Sequence, residues 1–423
     1  MTPARLRPPL TVATIGPPQQ GKTTLAAALS RLLGPRSDAR VVDYIELTRG
    51  GKYYREGKVE TQAARWLEYT TETWRIAHLD LAGRTTRAIT QIAPLTWAEA
   101  IILVISPASG ASAADGRVGE LLRIAAHHDT TRAIVFINQC DRDDDPELVD
   151  LAELEARVLL DACGLDGDEA PVIRGAALPA LTGDDRWKRS IFELAEAIDR
   201  CLVAPPRDPT APLRMSVLRG FSIAGQGAVA AARIERGTLR IGDKFDLLGT
   251  THHRWLAPED RLLRTRRVAA SLHAFDRVVD VGRPGELLGV TVPARADEGW
   301  RMWRRVCRGL TIAAPDSLAL RRRFTACVRL LAADEGGWPR ELAEVFTSQV
   351  VIGTASEGAT LRTSTPTPRA GDTVLFEVSL VYPMAILGGE RLLVRRHDRL
   401  IGLGVVVEPL GPIEVIEIDG AEP

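Results

Sequence analysis

The sequence predicts an α/β domain with a mostly parallel sheet, followed by two all-β barrel domains. Three observations lead there: a recurring strand–loop–helix pattern before residue 204, a proline-rich break over Ala204–Pro209, and the near absence of helical periodicity beyond it. A chain of 423 residues also exceeds one ordinary core, and the boundaries it suggests are 1–207, 208–313 and 314–423.

The first strand is the apolar, β-branched run LTVATIG ending at Gly16, and TTLAAALSRLL after it has the apolar spacing of a helix. WRIAHLDL, AIILVIS and RAIVFIN read as further strands. They read as buried strands, and the gaps between them are long enough for crossover helices such as GRVGELLRIAAHH and LVDLAELEARVLLDAC. Beyond the break the runs RMSVLRGFSI, AVAAARIERGTLRIG, KFDLLG and ELLGVTV alternate between glycine turns, which predicts a barrel. Gly309–Pro315 marks a second boundary, and RFTACVRLL, DTVLFEVSLVYPMAIL and ERLLVRRHDRLIGLGVVVEPL repeat the character.

Composition narrows the class. Hydrophobic residues at 45% and charged residues at 26% fit a globular protein and exclude a disordered or fibrous one. No apolar run approaches the ~18 residues of a membrane span, and Met1–Pro9 lacks the apolar core of a signal peptide, so a cytoplasmic protein without a membrane partner is expected. The five cysteines, Cys140, Cys163, Cys201, Cys307 and Cys327, are scattered and form no CxxC, so neither a disulfide framework nor a zinc site is expected. The net charge of −1 is indifferent to nucleic acid, and no DNA partner is expected. Arginines do cluster at Arg261, Arg264, Arg266 and Arg267, at Arg301, Arg304, Arg305 and Arg308, and at Arg321 to Arg323. Each cluster is either solvated surface or an RNA contact.

Gly16-Pro17-Pro18-Gln19-Gln20-Gly21-Lys22-Thr23 fits GxxxxGK[ST] between a strand and a helix, the context that gives the pattern meaning. Backbone N–H groups around Gly16, Gln20 and Gly21 and at the start of the helix, through Thr24, are suited to phosphate oxygens. Lys22 is expected on the β and γ phosphates and the Thr23 hydroxyl on Mg²⁺. Asp80-Leu81-Ala82-Gly83 ends the next core strand; its aspartate suits Mg²⁺ and its glycine N–H a γ phosphate. At Asn138-Gln139-Cys140-Asp141 a carboxylate can accept from the N1 and N2 donors that guanine has and adenine lacks. The alternative is a pair of polar residues capping a strand-to-helix turn. The loop from Arg174 through Ala176, Ala177 and Leu178 offers a backbone N–H to the base O6.

These four elements in this order, followed by two β domains, resemble elongation factor Tu, a translational GTPase. The resemblance extends to AHLDLAG, to PELVDLAELEARVLL through PVIRGAALPAL, to GFSIAGQGAV with ARIERG, and to LVYPMAILGGERLLVRRHDRLIGLGVVVEPLG. It implies a G domain plus two barrels, with GTP or GDP and Mg²⁺ as ligands. The departures bear on function. The family histidine after DxxG, which positions the attacking water, is Arg84, so slow hydrolysis is expected. The lysine of the family's NKxD is Gln139, and the serine before the base-contacting alanine is Ala176, which is expected to lower affinity. In the degraded first switch, GKVETQ, Thr61 takes the place of the threonine that closes over Mg²⁺.

The residues that handle tRNA in the family are poorly kept. A Lys-Asn pair that touches the 5′ end corresponds to Ile89 and Thr90; the acidic pair of the aminoacyl and terminal-adenosine pocket corresponds to Leu218 and Arg219. The neighbouring aromatic survives as Phe221, a pocket asparagine is Leu287, and SQVVIG stands where the family has its GYRPQF-like element. Three functions remain open. The first is a GTP-dependent carrier of aminoacyl-tRNA with a rebuilt pocket, and the second a GTP-gated switch whose partner is a protein, with little or no hydrolysis. The third is a subunit like the large subunit of sulfate adenylyltransferase. A protein exchange factor fits either of the first two.

Overall fold

The computed structural model describes residues 7–34, 52–55, 58–61, 65–81, 88–110, 116–128, 130, 132–142, 145–223, 227–251, 261–275, 277–293 and 305–411. The chain divides into two compact units, Met1–Pro205 and Pro206–Pro423, and the break falls inside the proline-rich stretch.

The first unit begins with β1 (Pro9–Ile15), α1 (Lys22–Leu33), β2 (Lys52–Arg55), β3 (Lys58–Thr61), β4 (Arg65–Thr70) and β5 (Arg75–Asp80). It continues with α2 (Ile89–Leu95), β6 (Ala100–Ile105), α3 (Gly116–His127), β7 (Arg132–Ile137), α4 (Pro146–Ala162), β8 (Val172–Arg174), α5 (Ala177–Thr182) and α6 (Asp185–Cys201). Six strands form one sheet in the order β4-β5-β1-β6-β7-β8, parallel except for β4, which runs antiparallel on the edge. The interior strands are buried nearly along their length, so β6 and β7 read as apolar runs, while β1 buries Thr11 and Thr14 and β5 buries Arg75, His78 and Asp80. Leu25, Ala26, Leu29 and Leu33 of α1 pack with Val12, Ile102 and Phe136 in the core on one face. α4 and α6 start on aspartate caps: Asp145 accepts from the Glu147 N–H at 3.0 Å and Asp184 from the Arg186 N–H at 2.9 Å. With strands in this order, the loops after β1, β5, β7 and β8 leave the same, C-terminal edge of the sheet.

The second unit opens with β9 (Arg214–Ile223), β10 (Gly227–Arg236), β11 (Leu239–Arg240), β12 (Lys244–Thr250), β13 (Leu262–Val268) and β14 (Leu272–Ala274). Next come β15 (Arg277–Val279), β16 (Val281–Gly282), β17 (Leu287–Val292) and β18 (Thr311–Ala313). Eight of these pair in the order β13-β12-β18-β9-β10-β17-β14-β15, and β11 pairs with β16. The remaining strands are β19 (Leu320–Leu330), β20 (Val345–Ile352), β21 (Ala355–Arg362), β22 (Thr373–Ala385), β23 (Arg391–Arg396) and β24 (Arg399–Leu410). They close a barrel in the order β19-β22-β21-β20-β23-β24. Each sheet has its own core, one around Met215, Phe245 and Ile312, the other around Phe324, Phe376 and Leu392.

A third apolar cluster joins the two sheets: Leu248, Ala313, Leu318, Leu320 and Ala385. Buried polar contacts reinforce it. Thr354 Oγ1 donates to the Val217 carbonyl at 2.8 Å and Thr250 Oγ1 to the Pro383 carbonyl at 3.1 Å. Arg214, buried on β9, lies 2.9 Å from Glu235 and bonds Glu390 of the barrel.

Candidate nucleotide site

The loop between β1 and α1 is shaped by two glycines. Gly16 has φ 155°, and a Cβ there would sit 2.1 Å from the Val104 carbonyl oxygen of the neighbouring strand. Gly21, the N-cap of α1 at φ 83°, is crowded from the other side, because a Cβ would fall 2.2 Å from Asn138 Nδ2. Gln19 also adopts a left-handed φ of 67°. Between these points the loop wraps the buried Lys22, whose ammonium donates to the Gly16 carbonyl at 2.8 Å and the Pro17 carbonyl at 2.6 Å. The N-terminus of α1, with Thr23 and Thr24 half-buried in its first turn, adds partial positive charge at the same place.

Asp80 ends β5 beside this loop and is fully buried. Its carboxylate accepts from Thr23 Oγ1 at 2.8 Å and from Thr14 Oγ1 at 3.4 Å. Burial pushes the Asp80 carboxyl above its usual range, opposed by the Thr23 hydrogen bond and the charge of Lys22. Gly83 and Arg84 lie outside the described residues. Thr61 is the last residue of β3, in the two-stranded sheet with β2, and its side chain is outside the described set.

Asn138 holds the loops together. Its Nδ2 donates to the Gln20 carbonyl at 2.7 Å, and its Oδ1 accepts from the Ala177 N–H at 2.8 Å, so one buried amide ties the loop after β1 to that after β8. Gln139, in a left-handed conformation at φ 68°, sends Nε2 to the Gln19 carbonyl at 3.0 Å. The Cys140 N–H bonds the Gly175 carbonyl at 3.1 Å, and the Gly175 N–H bonds Ile137 O at 2.9 Å, which fixes the two base-side loops side by side. Asp141 is exposed in the turn that follows; Ala176 and Ala177 are buried, and Leu178 is half-exposed.

Of the residues singled out in sequence, the structure therefore brings Gly16, Gln20, Gly21, Lys22, Thr23, Asp80, Asn138, Gln139, Ala176 and Ala177 into one bonded frame. Two members were not singled out: Thr14, whose hydroxyl supports Asp80, and Gln19, whose carbonyl receives Gln139. Thr14 is one of two threonines in β1, PLTVATI, and nothing in the sequence sets it apart from Thr11. Among the described residues, no three histidine, cysteine or acidic side chains gather as a metal cluster, and no helix is long and apolar enough to cross a membrane.

In the second unit, Leu218, Arg219 and Phe221 lie on β9 and Leu287 on β17, separated by β10. In the first unit, Ile89 and Thr90 open α2.

Residues 7–204 match the family model described as the elongation factor Tu GTP binding domain. That span covers the sheet, the phosphate loop and both base-side loops, and ends where the first compact unit ends. The first unit of the chain is thus similar throughout to the GTP-binding domain of elongation factor Tu, a translational GTPase.

Proposed function

We propose that this chain is a GTP-dependent carrier of aminoacyl-tRNA, a specialised relative of elongation factor Tu with an altered carrier pocket and slow GTP hydrolysis. The observation that carries the reading is the frame around Asn138, which sets a phosphate loop and two base-side loops in one arrangement within a chain that continues into two β-sheets. On this reading Gly16, Gln20, Gly21, Lys22, Thr23 and Thr24 bind the phosphates, and the Gly83 N–H is assigned to the γ phosphate. Asn138, Gln139, Asp141, Ala176, Ala177 and Leu178 surround guanine, with Asp141 accepting from its N1 and N2 donors.

Mg²⁺ fits the donors present. Thr23 Oγ1 and the Asp80 carboxylate are adjacent hard oxygens, and Asp80 is buried with its ionised form disfavoured, a cost that a divalent cation offsets. Thr61 is the third residue assigned to it. The ion, when bound, neutralises phosphate charge. Arg84 follows Gly83 in sequence, and its guanidinium cannot accept a proton at neutral pH but can face γ-phosphate charge.

Capture of mixed aminoacyl-tRNA by protein loaded with a GTP analogue, and none by protein loaded with GDP, is the expected result. Single-turnover hydrolysis is expected to be slow and to rise about a hundredfold in Arg84→His, the lower end of what general acid–base groups contribute. A wild-type rate equal to that of the variant removes the assignment of Arg84.

One observation favours a second reading, a GTP-gated switch with a protein partner or exchange factor. Leu148, Leu151, Leu154 and Val158 are 39–60% exposed on α4, opposite its buried face of Val149, Ala152, Ala156 and Leu160. Nucleotide binding without capture of tRNA in either state would favour it.

A further inference from the structure

The register of the second unit aligns one residue from each of four adjacent strands. Arg219 on β9 pairs with Ala231 on β10, Ala231 with Gly289 on β17, and Gly289 with His273 on β14. Cross-strand partners project from the same face. That face is the outer one, because the alternating residues Ala230, Ala232, Leu288, Val290, Leu272 and Ala274 all belong to the core. Arg219 reaches it through a β-bulge: Val217 pairs with Ala232 and Arg219 with Ala231, so Leu218 is an extra residue that turns Arg219 outward, where strict alternation from the buried Val217 would point it into the core.

The row is a trough. Its floor is Ala231 and Gly289, the two smallest kinds of residue, and its ends are Arg219 and His273, about 14 Å apart at ~4.8 Å per strand. One wall is the next row, Phe221–Val229–Thr291, in which Val229 and Thr291 are buried. The other wall is Arg233 with Leu287. At the far end Ser271 Oγ lies 3.0 Å from His273 Nε2 and 2.7 Å from Thr291 Oγ1, a cluster with both donors and acceptors. Arg219 is exposed and has no hydrogen-bond or ion-pair partner among the described residues, while the carboxylate of Glu235 on β10 is engaged by Arg214 and Ser216.

The resemblance places the carried aminoacyl group beside Arg219, and we infer that Arg219 makes this trough select an acidic one, an aspartyl or glutamyl ester over neutral and cationic esters. The inference rests on the carrier reading above. A guanidinium offers a carboxylate two parallel donors, and no carboxylate of the described residues in this row competes for it. The shallow floor leaves room for the ester backbone, and the Ser271–His273–Thr291 cluster matches a ribose hydroxyl at the other end.

The test uses the full chain loaded with a GTP analogue and tRNAs charged with aspartate, glutamate, valine or lysine, read as protection of the ester from hydrolysis. Aspartyl and glutamyl species are expected to bind about fivefold or more tightly than lysyl, the scale of one partly exposed ion pair. Arg219→Lys should keep the order, Arg219→Ala level it and Arg219→Glu reverse it, with thermal melts reporting that each variant is folded. Equal binding of all four species, unmoved by the variants, overturns the inference and leaves the carrier reading standing. Binding of none of them, with guanine nucleotide bound, overturns both.

Discussion

Replacing Asn138 by alanine removes both bonds that hold the phosphate loop to the base-side loop. The side chain is 3% exposed, so the Gln20 carbonyl and the Ala177 N–H it serves at 2.7 and 2.8 Å are left without it in a site closed to bulk water. Each orphaned backbone group costs about 1–3 kcal/mol. The amide is packed against Gly21, and its removal opens space that an ordered water can fill, which recovers part of the loss. The expected net destabilisation of the first unit is about 2–4 kcal/mol, a large share of a typical domain's ~5–15 kcal/mol. For a unit of this size that lowers the melting temperature by about 5–15 °C. Fluorescence of the buried Trp74 and Trp97 follows the melt, and a fluorescent GDP analogue reports affinity, expected to fall about tenfold or more once the loops lose their tie. Asn138→Asp separates the two bonds, since it keeps the acceptor for Ala177 but sets a carboxylate oxygen against the Gln20 carbonyl. A loss below about 0.5 kcal/mol with unchanged GDP affinity in Asn138→Ala would refute the reasoning, because it is what an ordinary surface change produces.

Two further perturbations test the packing. Burial pushes the Glu390 carboxyl up, and the charge of Arg214 opposes this, so Arg214→Met leaves a half-buried acid without its cation; a loss of about 3 kcal/mol, the lower end for a broken buried pair, is expected in guanidinium unfolding of the second unit. Adding Glu390→Leu should restore much of it, and a double variant no more stable than the single one would contradict the assignment. In the first unit, burial lowers His78 to about 3, and its Nδ1 meets the Tyr69 hydroxyl at 2.9 Å. The folded protein therefore takes up this proton less readily than the unfolded chain; the contribution is intact above about pH 6.5 and is lost as pH falls toward 3, by about 1.4 kcal/mol per unit. Melting curves of wild type and His78→Gln from pH 7 to 4 check it, and parallel curves would remove His78 as a source of acid lability.

Much of this architecture is legible in the sequence because its signals are local. A parallel strand buried on both faces is mostly apolar, so β1, β6 and β7 stand out, and β5 less so because it carries Arg75, His78 and Asp80. The edge strand β4 does not, because RWLEYT mixes charge with aromatics and its pairing partner is known only once β5 is placed. In the site, glycines and lysine of the phosphate loop are readable because the phosphate chemistry dictates them. The bond from Gln139 to Gln19 is not readable, since it spans 120 positions and depends on left-handed conformations at both residues. The bulge at Leu218 is equally silent: it exists only as a change of register between two strands.

The substitutions at the base-side loops take on a different weight once these contacts are seen. Loss of the family's lysine at Gln139 and of its serine at Ala176 suggests a loosened base site when read from sequence. Yet the Gln139 amide reaches the phosphate-loop carbonyl of Gln19, so that side chain still fastens one loop to the other. Ala176 is fully buried, and the conformation of its loop is held by the Asn138 bond to Ala177 and by the backbone bonds of Gly175, none of which needs a hydroxyl. The nucleotide frame therefore rests on the Asn138 and Gln139 amides and on backbone bonds, an arrangement that tolerates both changes. On the outer face of the second unit the position that the resemblance assigns to an acid is an exposed cation, and there no backbone frame compensates, because the charge itself is what a ligand meets. Divergence at the first site conserves what the loops do; divergence at the second changes what the surface can hold.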